Sequence, residues 1–445
     1  MKIALLNVLN LQKKGALNKD LAGGFGTFSI FGSSTTSKMI SYAKKKSINL
    51  PIISFAFLQA ILKEKGHEIQ YIEGDIVDKK FDLVLIYGSI VDFHHENTVS
   101  KKIKKRYPGT KVGFFGTFPT VEPDLFSESD FVIRGEAESF FLYEFNDLRD
   151  LQGIISVKKT LNLDDLPAPD FDAFPIDNYS YFPAIKEKPF LVLQASKGCP
   201  YSCSYYCAYG MIQGHVYRIR SAKKLVEDIQ HLVNDYHIKG IQFRDPTFGL
   251  DRKQVIRFCD LLISRNIKIK FGIETRLDLL DKDLLALMFK AGLRSINVGI
   301  ETLDENIAKM NKRNLVRINH QEEIIDFCKK IGIKISAFYL FGLKGDTKES
   351  IKKTIEYAIK LNTNIAQFVI SCPYPGSKYY EELKSKNLII ENDFEKFNSM
   401  DVVFKHDNLT KEQIMILKDY AFRRYYFRIE YLIEFLKWRI REFWL

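Results

Sequence analysis

The sequence predicts an α/β protein: an N-terminal doubly wound, flavodoxin-like sheet, then a partial (β/α)6 barrel of TIM type, then a mainly helical C-terminal region. Three observations predict it. Short apolar runs alternate with amphipathic stretches twice over. A Pro- and Asp-rich stretch, LDDLPAPDFDAFPIDNY (163–179), separates the two alternations. After the second, the pattern gives way to aromatic and basic residues at helical spacing.

In the first alternation the expected strands are KIALLNV (2–8), HEIQYIE (67–73), FDLVLIYGS (81–89), KVGFFGT (111–117) and FVIRGE (131–136). PIISFAFLQAILKEKG (51–66) reads as a helix with Pro51 in its first turn and Gly66 at its end, and ENTVSKKIKKRYPG as a polar helix. In a doubly wound sheet the ligand lies beyond the carboxyl ends of the strands, here 7–10, 88–95, 116–119 and 134–138. The second alternation has strands FLVLQAS (190–196), GIQFRD (240–245), IKFGIET (269–275), SINVGIET (295–302), KISAFYLFG (334–342) and IAQFVIS (365–371). Six β/α units in sequence suggest a part-barrel whose chemistry sits at the strand carboxyl ends. The expected units are 1–160, a linker over 161–185, the barrel over 186–371, and 372–445.

The 445 residues carry 66 Lys and Arg against 55 Asp and Glu, and the net charge of +11 favours an anionic partner. No apolar run reaches the ~18 residues a spanning helix needs, and MKIALLNVLNLQKKG lacks a signal-peptide pattern. The expected location is the cytoplasm, where clustered cysteines more often bind metal than form disulfides.

Three of the six cysteines, Cys199, Cys203 and Cys207, fall in KGCPYSCSYYCAYG (197–210), directly after the first barrel strand. A structural zinc site needs four closed ligands. Here there is no second pair, and His215 is the nearby imidazole. Three thiolates on one loop suit a four-iron, four-sulfur cubane with one iron left for a substrate or cofactor. Polar Ser and Tyr neighbours argue against a chance run of core cysteines. Cys259 and Cys328 read as helix packing residues; packing is also the favoured reading of Cys372, although it follows the sixth strand.

With GEAESFF (135–141), FRDPTFGLDRK (243–253), ETRLDLL (274–280), INVGIET (296–302), YLFGLKGDTKES (339–350) and PYPGSKYY (373–380), the chain resembles the radical S-adenosylmethionine enzymes, in their cobalamin-binding branch. CSYYC departs from the commonest family spacing, which has two residues between the second and third cysteines. The resemblance implies three cofactors: a 4Fe-4S cluster, S-adenosylmethionine and cobalamin. It implies that the methionine end of S-adenosylmethionine chelates the open iron and that reductive cleavage yields a 5′-deoxyadenosyl radical. By position it places Tyr206 near adenine, Asp245 and Thr247 at the methionine amine, and Glu274 and Arg276 at the end of the third strand, with Arg276 a planar fork for the methionine carboxylate. Glu301 falls at the ribose and Gly342 beneath adenine. The plain alternative for each charged residue is a solvated loop or structural ion pair.

In the first unit GGFGT (23–27) is no complete dinucleotide fingerprint. Similarity to cobalamin-binding modules places Gly88, Ser89, Gly116, Thr117, Phe118 and Glu136 at the corrin and its nucleotide tail. The Asp-x-His-x-x-Gly loop of cobalamin mutases has no counterpart in NVLNLQKKG, so no histidine is expected on the lower cobalt face; His94 and His95 read as loop residues.

The resemblance implies a methyltransferase that acts on an unactivated carbon, with a non-methylating cyclisation, oxidation or rearrangement as the alternative. A non-catalytic iron-sulfur or corrinoid carrier is the reading from another class. A tRNA methylthiotransferase is disfavoured, and nucleic acid is not expected as a partner: there is no further cysteine triad in the first unit and no RNA-binding barrel pattern. The implied partners are a small-molecule or lipid/glycan-type substrate and a low-potential electron donor such as flavodoxin or ferredoxin. Phe422, Tyr425, Tyr426, Phe427, Tyr431, Phe435, Trp438, Phe443 and Trp444 alternate with Arg423, Arg424, Arg428, Lys437, Arg439 and Arg441. Such a helix either packs back on the barrel or makes peripheral contact with the inner face of a membrane.

Overall fold

Strand β1 (Lys2–Asn7) pairs in parallel with β2 (Glu68–Glu73) on one side and β3 (Leu83–Tyr87) on the other. From β3 the computed structural model continues through β4 (Lys111–Phe115), β5 (Phe131–Arg134) and β6 (Gly153–Ser156), giving the order β2-β1-β3-β4-β5-β6. The structure describes all residues except 11, 14, 15, 30–41, 43, 44, 46, 76 and 445, and only the backbone of 16, 29, 204 and 438–444. LVLIY in β3 is buried throughout, as expected of a strand covered on both faces. The chain winds outward in both directions from β1, so a crevice opens at the carboxyl ends of β1 and β3. Strand β6 was not expected from the sequence. GIIS is short and, as an edge strand, leaves Ile154 49% exposed, so it lacks the apolar run that marks its neighbours.

The helix following β1 spans Ile53–Glu64, so Pro51 precedes it rather than entering its first turn; Gly66, at φ +80°, turns the chain after its end. Stretch 163–179 is packed: Leu163, Leu166, Phe171, Phe174 and Tyr179 are buried, and Phe174 stacks on Tyr71 with ring centroids 3.6 Å apart. One apolar core therefore runs from the first sheet through this stretch into the second.

The second sheet is parallel and in chain order: β7 (Phe190–Leu193), β8 (Gly240–Phe243), β9 (Lys270–Thr275), β10 (Leu293–Glu301), β11 (Lys334–Phe341) and β12 (Ile365–Ile370). Among the described residues β7 and β12 do not pair, so the barrel is open. Several of its helices start where a side chain caps them. Ser221, Asp251 and Asp281 accept from first-turn amides, and Thr347 forms a capping box with Ser350.

The C-terminal helix Lys411–Tyr426 packs back on the barrel. Phe422 meets Phe368 of β12 edge-on at 5.3 Å, and the Tyr426 hydroxyl donates to the Ala366 carbonyl at 2.8 Å. In the next helix Tyr431 donates to Asn364 O at 2.8 Å and stacks on Phe435, while Phe427, between the two helices, is exposed. The side chains of Trp438, Arg439, Arg441, Phe443 and Trp444 lie outside the described residues. Among those described, no helix is long and apolar enough to cross a membrane.

Candidate active site at the barrel mouth

The loop after β7 carries Cys199, Cys203 and Cys207, all free and half-buried, into a cavity of about 360 Å³ at the strand carboxyl ends. The Cys199 amide donates to Gly214 O at 3.1 Å, and the Cys207 amide to Cys203 O at 3.1 Å, which coils the loop. Burial pushes the Cys203 thiol up to about 11, with Glu301 adding to the rise, and burial lifts Cys207 further. Among the described residues no three His, Cys, Asp or Glu groups are placed to hold a single ion. That bears on a mononuclear site, whose donors must meet within ~2.3 Å of one point; a cubane sets each thiolate on its own iron. Three thiols of one loop at one cavity fit such a cluster.

Five further expected residues line the same cavity, Tyr206 among them. Thr247 lies 3.7 Å from the Cys199 sulfur and donates to Pro246 O at 2.7 Å. Glu274 pairs with Arg244 and accepts from the Tyr209 hydroxyl at 3.3 Å. Arg276 engages Asp278 in a fork at 2.9 and 2.8 Å and lies over the Tyr201 ring at 4.3 Å, so its planar edge is already in use. Glu301 ends β10 at φ +70°, a conformation that costs a non-glycine residue about 1–3 kcal/mol. It pairs with Arg313 at 2.8 Å and accepts from the Tyr206 hydroxyl. The Asn297 Oδ1 and Ser371 Oγ atoms in this cavity are buried without a partner, leaving polar groups for a ligand to satisfy.

Two expected contacts stand elsewhere. Asp245 turns away from the cavity: its carboxylate accepts from the Ala195 amide at 2.8 Å and the Ser196 hydroxyl at 2.5 Å, bracing the strand that leads into the cysteine loop. Burial raises its pKa to about 7, and those hydrogen bonds limit the rise. Gly342, at φ +76°, faces Ile414 and Phe404 and does not line the cavity, so its missing side chain serves the turn. Cys372, by contrast, does line the cavity, while Cys259 and Cys328 are core residues. Arg244, Arg313, Tyr201, Tyr209 and Asn297 were not singled out from the sequence. Arg244 stands beside the Asp245 that was, and the others carry no spacing that separates them from structural polar residues.

A smaller cavity, about 60 Å³, lies between the carboxyl edge of the first sheet and the barrel mouth. Gly116, Thr117 and Glu136 line it; Gly88, Ser89 and Phe118 do not. Gly88 packs beneath Pro119 and Phe126, the Ser89 hydroxyl donates to buried Glu96 at 2.7 Å, and Phe118 sits in an aromatic cluster with Phe25, Phe93 and Phe126. His94 and His95 begin the helix Phe93–Arg106 and line neither cavity. Residues of the segment Asp20–Thr27 face both cavities and, with Tyr209 and Arg244, partition them. Its carbonyls accept from Thr117 (to Gly23 O, 2.7 Å) and Tyr87 (to Gly24 O, 2.8 Å), and Asp20 pairs with Arg244 at 2.7 Å. The small cavity has room for water but not for a corrinoid. A corrinoid at this edge requires the partition to move.

Residues 193–358 match the model of the Radical SAM superfamily. An uncharacterized methyltransferase of Pyrococcus horikoshii is 28% identical, across 86% of this chain and 89% of its own. The anaerobic magnesium-protoporphyrin IX monomethyl ester cyclase of Rubrivivax gelatinosus is 28% identical, across 72% of this chain and 60% of its own. Among solved structures, the radical S-adenosylmethionine methyltransferase TsrM from Kitasatospora setae, with cobalamin and a 4Fe-4S cluster bound, superposes with a TM-score of 0.64. That match has 12% identity over 86% of this chain and 75% of that one, and is a likeness of fold.

Proposed function

From the premise that this chain carries a radical SAM superfamily domain over residues 193–358, we propose that it is a cobalamin-dependent radical S-adenosylmethionine methyltransferase acting on an unactivated carbon of a small molecule. The observation that carries the reading is the set of three free thiols on one loop, lining a cavity at the barrel mouth that abuts the carboxyl edge of the first sheet. The methyltransferase relative from Pyrococcus horikoshii, matched along most of both chains, supports it, as does the fold shared with TsrM. When bound, the cluster and S-adenosylmethionine supply one-electron chemistry, and a corrinoid supplies a transferable methyl group.

In this reading Cys199, Cys203 and Cys207 would hold the cluster. Thr247, Glu274, Arg276 and Glu301 form the polar wall that orients S-adenosylmethionine, with Tyr206 beside adenine. Arg313 holds Glu301 in its strained position, and Tyr181, Leu340, Tyr374 and Met400 keep water out of the cavity. Gly116, Thr117 and Glu136 face the corrinoid side. The units are 1–160 for the corrinoid, 161–185 as a packed connection, 186–371 for radical chemistry and 372–445 as the C-terminal cover. A low-potential donor such as flavodoxin or ferredoxin would supply the electron, in the cytoplasm.

Anaerobic reconstitution of the full chain tests the first half: iron loading and release of 5′-deoxyadenosine are expected, and neither is expected when all three cysteines are serine. Deuterated-methyl S-adenosylmethionine tests the second half, through a labelled methyl in the product. The similarity to the protoporphyrin ester cyclase favours a second reading, a cyclisation without net methylation. An unlabelled product formed together with 5′-deoxyadenosine would select it.

A further inference from the structure

We infer that Lys197 and Glu138 form a positioning pair through which the N-terminal sheet sets the cysteine loop, so that what occupies the sheet edge is felt at Cys199. The inference rests on the reading of that loop as the cluster site. Lys197 lies two residues before Cys199 and is 5% exposed. Its side chain crosses from the barrel to the first sheet, placing Nζ 3.3 Å from Glu136 and 3.4 Å from Glu138. Glu136 follows β5, and Glu138 stands in the first turn of the helix Ala137–Tyr143, held there by the Ser54 hydroxyl at 2.7 Å. Arg218 is the cross-strand neighbour of Lys197 and forks onto Glu136 at 2.6 and 3.1 Å.

Lys197 and the two carboxylates are thus buried together, with the half-buried Arg218 beside them. Buried ion clusters contribute little to net stability, because desolvation cancels much of the attraction. What they impose is geometry. Both carboxylates line the small cavity together with Gly116 and Thr117, so a ligand there meets the same groups that hold Lys197.

The backbone between Lys197 and Cys199 is held at both amides and packs closely against Val216. Gly198 sits at φ +83°, and a Cβ there would come within 2.0 Å of Val216 O. Its amide donates to Gln213 Oε1 at 3.3 Å, and the next amide to Gly214 O at 3.1 Å. Movement at Lys197 therefore passes to the first cysteine.

The test uses the full chain, reconstituted anaerobically, with hydroxocobalamin as the probe. The variants are the double Lys197→Met/Glu138→Met, which removes both charges and leaves Arg218 with Glu136, and the milder Glu138→Gln and Lys197→Arg. Melting temperature, iron per chain, and the reduced cluster's paramagnetic resonance spectrum and midpoint potential are read with and without the probe. In the wild type the spectrum or the potential is expected to shift on adding hydroxocobalamin. The double variant is expected to load iron but lose that shift, with Glu138→Gln showing partial loss and Lys197→Arg restoring it. If the double variant does not fold, Glu138→Gln decides: an undiminished shift overturns the inference. A full shift in the double variant, or an iron-loaded wild type that ignores the probe, also overturns it. A wild type that loads no iron instead overturns the cluster reading itself.

Discussion

The Tyr206 hydroxyl donates to Glu301, tying the residue before the third loop cysteine to the strained end of β10. The same carboxylate pairs with Arg313 at 2.8 Å, so one half-buried side chain joins the loop, the strand and the segment that follows it. Tyr206→Phe removes the neutral donor and leaves the ion pair. Loss of a hydrogen bond to a charged group costs about 1.5–3 kcal/mol, roughly 10- to 150-fold in affinity. Iron content is expected to stay at the wild-type level while S-adenosylmethionine binding, measured by equilibrium dialysis, weakens within that range. Unchanged binding would leave Tyr206 as a packing residue.

The cysteines separate into two classes by position. Cys207→Ser is expected to lower the iron retained after anaerobic desalting by at least half. Cys259 is wholly buried on the helix Arg252–Ser264, so Cys259→Ser should leave iron content unchanged. A hydroxyl there without a partner is expected to destabilise by about 1–3 kcal/mol, read by urea unfolding.

The legible part of this chain was periodic or clustered. Strands such as LVLIY, buried on both faces, advertise themselves by unbroken apolar runs, and cysteines within nine residues announce a shared purpose. What was not legible depends on which way a side chain turns. Asp245 ends a barrel strand, as a cofactor ligand would, yet its carboxylate is spent on the Ala195 amide and the Ser196 hydroxyl. Ser89 likewise stands at a strand end but binds Glu96, seven residues on. Arg244 was passed over because its partners, Asp20 and Glu274, are far away in sequence and only the fold brings them together. Strand β6 failed for a different reason: an exposed edge needs few apolar residues, and GIIS has two.

Asp245 also carries a pH signature. Its pKa is raised to about 7, chiefly by burial. Between the ordinary carboxylate range near 4 and about 7, the folded chain keeps a proton that the unfolded chain has released. Stability from this group is therefore complete below the lower value, falls as pH rises through the window, and is level above it. Asp245→Asn keeps an acceptor for the Ala195 amide and removes the titration. It is expected to flatten the fall in melting temperature between pH 4 and 7, and to gain on the order of 2–4 kcal/mol over the wild type at pH 8. An unchanged slope would mean that the carboxyl ionises normally in the fold.

The partition between the two cavities yields the last expectation. Tyr87 lies at the end of β3, and its hydroxyl donates to Gly24 O at 2.8 Å, with Thr117 holding Gly23 O beside it. These bonds keep the segment Asp20–Thr27 over the sheet edge proposed above for the corrinoid, so in that reading closing the edge and binding there compete. Tyr87→Phe removes one of the two bonds and little else, since the ring stays packed against Phe55 and Phe115. A net hydrogen bond is worth about 0.5–1.5 kcal/mol, so the closed state loses that much and hydroxocobalamin should bind about 2- to 12-fold more tightly in a spectroscopic titration. The effect runs opposite to that expected of a contact residue, whose loss weakens binding. A weaker complex in Tyr87→Phe would therefore make Tyr87 part of the corrinoid site and leave the segment a fixed wall.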